Sequence, residues 1–430
     1  MNPRILVVGH IYNNTGIGIT LTNLFAKIPK ENIAFVSING NFSNQNYNTC
    51  FLLGKKEYNY IFPLNWMMKI SDSKIISPGN ILVANHKKGK KWQFYYKFLN
   101  PFLHGIGLYD DRIRYKVSDD LENWIKSYNP DIIYSALGSY SMCCFFKKIM
   151  DCFPEKRYAV HLMDDWLHSQ ANNKLIFRKK YENKLDFVFR SILTRTQIKI
   201  VISEKMAKEY SRIYREKFIW FHNPVDTNRF YAENRPSRPG KSIIYIGKIN
   251  KDNYDVINDL IMALPAINER KNCHLQIYTP TEKTYLNSKL SLNQFVTLHQ
   301  AVPYETIPTI LSQGDLLFLP LSFRKESIRY TRLSISTKLS EYMATGRPLL
   351  VYAPENIAIT EFVRNNECAF ILSEKNPEIL AEKIIFILTA QEKDIKSVVN
   401  KAVQISREKF DYDRVCLLYT SPSPRDTERS

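Results

Sequence analysis

Nothing in the 430 residues approaches the roughly 18 uninterrupted apolar residues of a membrane-spanning helix, so none is expected. The opening MNPRILVVGHIYNN does not read as a signal peptide: its apolar run is only Ile5 to Val8, and His10 and an Asn pair follow. The seven cysteines form no CxxC pair, which argues against a zinc site and for reduced, buried thiols in a cytosolic protein. A dinucleotide fingerprint is missing as well. Gly16-x-Gly18 lacks the third glycine and the later acidic residue, which argues against a dehydrogenase. Acidic residues are short too, 42 against 60 lysines and arginines, for a net charge of +18. That surplus favours anionic partners such as nucleotides, nucleic acid or lipid headgroups, without choosing among them.

What is present is an ordinary globular composition, 44% hydrophobic and 24% charged, with apolar residues enough for two sizeable cores. Short apolar runs alternate with amphipathic stretches, the pattern of α/β units around mainly parallel sheets. Strands are expected at residues 5–8, 33–37, 81–84, 131–135, 157–162 and 198–202, with Ser203 capping the helix that follows. The polar YAENRPSRPG, with Pro236 and Pro239, reads as a linker. The expected organisation is an N-terminal domain over 1–230, a linker over 231–240, a C-terminal domain over 241–395 and a helix over 396–414. In the second domain, strands are expected at 242–246, 274–278, 295–298, 316–319 and 349–353, with helices at 256–268 and 338–345. The architecture expected is two α/β, Rossmann-like domains facing across a cleft. Residues 415–430, VCLLYTSPSPRDTERS, break the helical pattern abruptly and resemble translated sequencing-adapter read-through.

The most informative block is ISTKLSEYMATGRPLLVYAP. Ser336 and Thr337 stand at a helix start, where hydroxyls and unpaired N–H groups attract an anion, and Lys338 adds a positive charge. Glu341, one turn on, can accept hydrogen bonds from two vicinal ribose hydroxyls. The same residues also fit a capped surface helix. Lys248 follows Gly247 at a strand end, where a cation can hold a diphosphate as a leaving group. Gly16 and Gly18 permit close backbone approach to an anion, or simply a tight turn. VHLMDDWLHS brings His161, Asp164, Asp165 and His168 to a strand end, where His161 or an aspartate could take a proton from an acceptor hydroxyl. No i, i+4 histidine pair lies on a predicted helix, so no metal is expected. Lys87, Lys88, Lys90 and Lys91 precede Trp92 and a run of aromatics. That suits an anionic membrane surface, or a core helix with a solvated lysine run. Nucleic acid is not expected, since no recognised module surrounds these residues.

Lys338, Glu341-Tyr342-Met343-Ala344, Thr345, Gly346, Arg347 and Pro348 resemble the donor-binding helix of retaining GT-B glycosyltransferases of family 4. HNPVDTNRF (222–230), YIGKIN (245–250) and GDLLFLPLS (314–322) resemble further segments of that family in the same order. The resemblance implies a metal-independent hexosyltransferase that uses a UDP-sugar or GDP-sugar donor, needs no cofactor and retains anomeric configuration. It implies Lys248 and Lys251 as diphosphate-binding residues, and a His or Asp at the first domain's strand end, where Asp165 and His161 are the candidates. It suggests surface polysaccharide or glycolipid assembly on a lipid-linked or saccharide acceptor, at the inner face of the plasma membrane. An epimerase of the same fold and a non-catalytic binding protein are the alternatives. One departure stands out. Much of the family has a second Glu eight residues before the helix Glu, and here that position is Leu333, with Glu326 farther back.

Overall fold

The computed structural model describes residues 2–9, 16–38, 46–60, 70–78, 97, 113–168, 178–232 and 240–415. The expected strand at 81–84, the Lys87–Trp92 patch, Pro236 and Pro239 lie outside those residues, as do 416–430. Among the described residues no helix is long and apolar enough to cross a membrane. The chain forms two compact units, divided between Trp220 and Phe221.

The first unit is an eight-stranded sheet in the order β10-β9-β8-β7-β1-β2-β3-β5. Its strands are β1 (Ile5–Gly9), β2 (Ile33–Ser37), β3 (Thr49–Leu52), β5 (Lys74–Ile76), β7 (Ile132–Ala136), β8 (Arg157–Leu162), β9 (Ile198–Val201) and β10 (Ile219–Trp220). All pairs are parallel except β3 with β5, which is antiparallel. β4 (Tyr58–Tyr60) and β6 (Ile113–Tyr115) form a separate antiparallel pair. The central strands β1 and β7 are buried throughout except for the half-buried Gly9, as the apolar ILVV and IIYSA require. Helices α1 (Gly16–Leu24), α2 (Asp119–Tyr128), α3 (Tyr140–Cys152), α4 (Arg178–Leu193) and α5 (Glu204–Tyr214) connect them. Ser203 caps α5 as expected: its hydroxyl accepts the Met206 N–H at 3.0 Å.

The second unit is a six-stranded, wholly parallel sheet in the order β13-β12-β11-β14-β15-β16. The strands are β11 (Lys241–Ile246), β12 (Cys273–Thr279), β13 (Val296–Gln300), β14 (Leu316–Pro320), β15 (Leu349–Tyr352) and β16 (Phe370–Leu372). Its helices begin with α6 (Thr227–Phe230), α7 (Tyr254–Arg270), α8 (Lys283–Lys289), α9 (Ile307–Ser312) and α10 (Lys325–Thr331). They continue with α11 (Lys338–Ala344), α12 (Ala358–Asn366), α13 (Pro377–Thr389) and α14 (Glu392–Lys409). The order reverses between β11 and β14, because β12 and β13 lie to one side and β14, β15 and β16 to the other. That reversal is where an open α/β sheet takes its ligand, outside the strand C-termini.

The segment 221–230 belongs to this second unit. The Val225 N–H donates to the Phe410 carbonyl at 2.8 Å, and the Tyr412 N–H donates back to Val225 at 3.2 Å. Asp411 accepts the Thr227 hydroxyl at 2.5 Å. Val415 is buried at 2% exposure, so the packed chain runs one residue into the stretch that reads as foreign in the sequence. Ending the chain after Val415 should leave the unfolding midpoint unchanged. Ending it after Lys409 removes the buried Phe410 and the Asp411 anchor, and should cost about 3–5 kcal/mol. Urea unfolding of the two truncations checks this, and equal midpoints would contradict it.

Candidate functional site

The strand-end face of the second unit gathers most of the expected residues. β11 ends at Ile246, and Gly247 and Lys248 follow. Tyr342, on the buried side of α11, places its hydroxyl 3.2 Å from the Ile246 N–H, which donates to it. That bond fixes α11 against the end of β11. Gly247 has φ +150°, and a Cβ there would stand 2.3 Å from the Lys338 Nζ. The missing side chain is therefore the space that the Lys338 ammonium occupies, 5.1 Å above the Tyr245 ring. The Lys248 carbonyl is held by the Tyr245 hydroxyl at 3.1 Å and the Asn253 amide at 3.0 Å. Its side chain is exposed, and so is that of Lys251.

Glu341 lies one turn beyond Lys338 and is buried at 7% exposure. The Tyr304 hydroxyl donates to its Oε1 at 3.1 Å. Burial pushes the carboxyl up to about 7, against the opposing pull of Tyr304 and of the Lys338 charge. A carboxylate held so close to neutrality is costly to keep unless something polar completes its shell. Ser336 and Thr337 precede α11 and are half-buried, and Thr337 makes no side-chain capping bond. The rest of the block is structural. Thr345 donates its hydroxyl to the Tyr342 carbonyl at 2.7 Å, Gly346 turns at φ +70°, and Arg347 donates Nε–H to the Ser312 carbonyl at 2.8 Å.

Leu333, the departure in the motif, is fully buried, so this position holds up the core and presents nothing to a ligand. Glu326 is exposed on α10, together with Lys325 and Arg329. Arg324 is turned inward: its Nε–H donates to the Ser322 hydroxyl at 3.2 Å, and its guanidinium lies 5.4 Å over the Tyr254 ring.

In the first unit, Gly16 and Gly18 lie in the first turn of α1, the next described element after β1. His161 is the last residue but one of β8, in register with Ala136 and Ile200. Its ring is wholly buried, with Nδ1 2.7 Å from the Tyr134 hydroxyl, and burial drives its pKa down to about 3. Asp165 is buried too, and it accepts from the Tyr210 hydroxyl at 2.8 Å and the His168 Nδ1 at 3.0 Å. Asp164 is half-exposed. Among the described residues no group of three His, Cys, Asp or Glu side chains could hold a metal ion. Asp165→Asn should weaken two bonds to a buried charge and lower the unfolding free energy by about 1.5–3 kcal/mol. Asp164→Asn should cost less. Denaturant melts of the pair check it, and equal losses would contradict the assignment.

Tyr304 and His222 are the site residues that the sequence did not single out. Tyr304 sits in AVPYETIPTI, where no periodicity marks it. His222 lies inside a noted segment, but only the structure shows its Nε2 2.9 Å from the Ser336 carbonyl.

Comparison with known proteins places this geometry in context. Residues 240–390 match the sequence model of the family described as Glycosyl transferases group 1. No curated protein sequence matches the chain. Among solved structures, sucrose-phosphate synthase from Thermosynechococcus elongatus is similar at TM-score 0.60 and 11% identity, covering 99% of this chain and 100% of that one. A glycosyltransferase from Rickettsia africae is similar at TM-score 0.58 and 13% identity, with both chains covered in full. HepE from Anabaena, solved with UDP and glucose, reaches TM-score 0.57 at 13% identity, again with both chains covered in full. These likenesses show the fold: it is GT-B, with two Rossmann-like domains.

Proposed function

We propose that this chain is a glycosyltransferase that takes a sugar from a nucleoside diphosphate donor bound on the second unit. One observation carries the reading. The Lys338 ammonium lies against Gly247 at the end of β11, where the strand order reverses, with Lys248 next in the chain and the buried Glu341 carboxyl one turn further along α11, which suits cations for a diphosphate and a carboxylate for a ribose. The family match over 240–390 covers this same region, and one structural neighbour is titled as a complex with UDP and glucose. In the reaction the anomeric carbon–oxygen bond to the diphosphate breaks, an acceptor hydroxyl oxygen bonds to that carbon, and the hydroxyl proton leaves to the departing diphosphate or to solvent. Negative charge grows on the departing diphosphate, and Lys248 and Lys338 hold it. The strand-end residues of the first unit, Asp164 foremost by its exposure, are read as serving the acceptor. Retention at the anomeric carbon, independence of metal and cofactor, and a lipid-linked or saccharide acceptor at an anionic membrane surface complete the proposal.

The test is a panel of UDP-sugars and GDP-sugars, assayed for free nucleoside diphosphate with and without acceptor glycans. Release from one donor, stimulated by an acceptor and reduced by Lys248→Ala, supports the reading. Interconversion of the sugar without release would make the chain an epimerase. Binding without any turnover would make it a binding protein.

A further inference from the structure

Thr337 precedes α11 without capping it, so the start of the helix that carries Lys338 and Glu341 is not held by its own cap. The Ser336 carbonyl, which accepts the Leu339 N–H at 2.9 Å, opens this helix. A second donor reaches the same oxygen from far away in the sequence: His222 Nε2 stands 2.9 Å from it. A carbonyl only accepts, so Nε2 carries the hydrogen, and burial keeps the ring neutral by lowering its pKa to about 4. His222 is wholly buried, and its ring meets the Phe410 ring edge-on at 5.2 Å between centroids. Phe410 in turn packs on Phe362 at 5.6 Å. The backbone on either side of the Val225–Asp411 bridge is bonded as well, so the imidazole has little room to move.

We propose that His222 is a positioning residue for the donor site: its Nε2–H holds the Ser336 carbonyl and so fixes residues 336–341 in the geometry that binds a nucleoside diphosphate. This rests on the donor-site reading above. The residue touches no substrate. It acts through the loop, transmitting the rigidity of the segment around Phe410 to the start of α11.

Three replacements separate the hydrogen bond from mere packing. His222→Gln can set an amide N–H where Nε2 stands. His222→Asn is too short to reach, and His222→Leu has no donor. Two readouts on the full chain are compared: amide hydrogen exchange across 337–341, and titration with uridine and guanosine diphosphates. The Asn and Leu variants should exchange at least tenfold faster there and bind the diphosphate roughly 10- to 50-fold more weakly. Gln should stay within about threefold of wild type on both. If Leu does not fold, Gln against Asn still decides. A Gln variant as impaired as Leu or Asn would overturn the proposal, and so would Asn and Leu variants that keep wild-type protection and affinity. If wild type binds neither diphosphate, the donor reading falls, and the exchange comparison still judges the anchor by itself.

Discussion

Glu341→Gln should weaken nucleoside diphosphate binding at pH 8 by about 10- to 150-fold, the equivalent of about 1.5–3 kcal/mol for hydrogen bonds to a buried charge. It should also abolish a pH dependence that wild type shows. Ribose hydroxyls donate, so they bind the ionised carboxylate. With the carboxyl raised to about 7 by burial, wild-type affinity should climb as pH rises through 7 and level off above it. The stability of the ligand-free protein runs the other way. Between the unfolded value near 4.5 and the folded value near 7, the native state binds more protons than the unfolded one. Unfolding free energy therefore falls as pH rises across that window. Replacing the carboxyl with an amide removes the loss, and should stabilise the ligand-free chain at pH 8 by on the order of 3 kcal/mol. Tighter folding with weaker binding in one variant is the signature of a carboxylate kept for a ligand. A pH-independent wild type, or a Gln variant that binds as well as wild type, would remove Glu341 from the site.

The second large effect is expected at Gly247. An alanine Cβ would stand 2.3 Å from the Lys338 Nζ and 2.6 Å from its Cε, at a φ of +150° that side-chain-bearing residues rarely adopt. The flexible lysine end is what can yield, so Gly247→Ala should displace the ammonium from its place over Tyr245. If that charge stabilises the leaving diphosphate, turnover should fall about 10²- to 10³-fold, the usual cost of losing one such stabilising group. Lys338→Ala should do the same, and the double variant should be little worse than either single one, since both remove one interaction. Initial-rate measurements at saturating donor read this out. Multiplicative losses in the double variant would mean that Gly247 and Lys338 act separately.

Much of this was legible in the sequence where burial is continuous. β2 and β8 have the expected bounds: β2 is the apolar run IAFV closed by Ser37, and β8 begins at the exposed Arg157 and is buried from Tyr158 to Leu162. The pattern fails where strands are short or their partners remote. β3 spans four residues and β5 only three, two of them exposed, and β4 pairs with β6 far along the chain. No element was expected over 325–331, where α10 forms, because its Lys and Arg residues carry no apolar stripe from which a helical period could be read. Within the candidate site, Lys338 and Glu341 could be read from their spacing along one helix, and Lys248 from its place after Gly247 at a strand end. Tyr304 and His222 could not, since each meets α11 or its leading loop only through the fold. His161 and Asp165 show the opposite limit: their types suggest chemistry, yet the structure buries both against tyrosines.

The proposed function stands or falls with binding of a nucleoside diphosphate sugar at the β11–β14 face of the second unit, through Lys338 and Glu341. Isothermal titration of the intact chain with UDP-sugars and GDP-sugars tests it most directly, with Glu341→Ala and Lys338→Ala run beside wild type. Wild type should bind at least one donor saturably, with at least a tenfold loss in each variant while both remain folded. Binding of no nucleotide sugar by wild type, or equal binding by all three proteins, would contradict it.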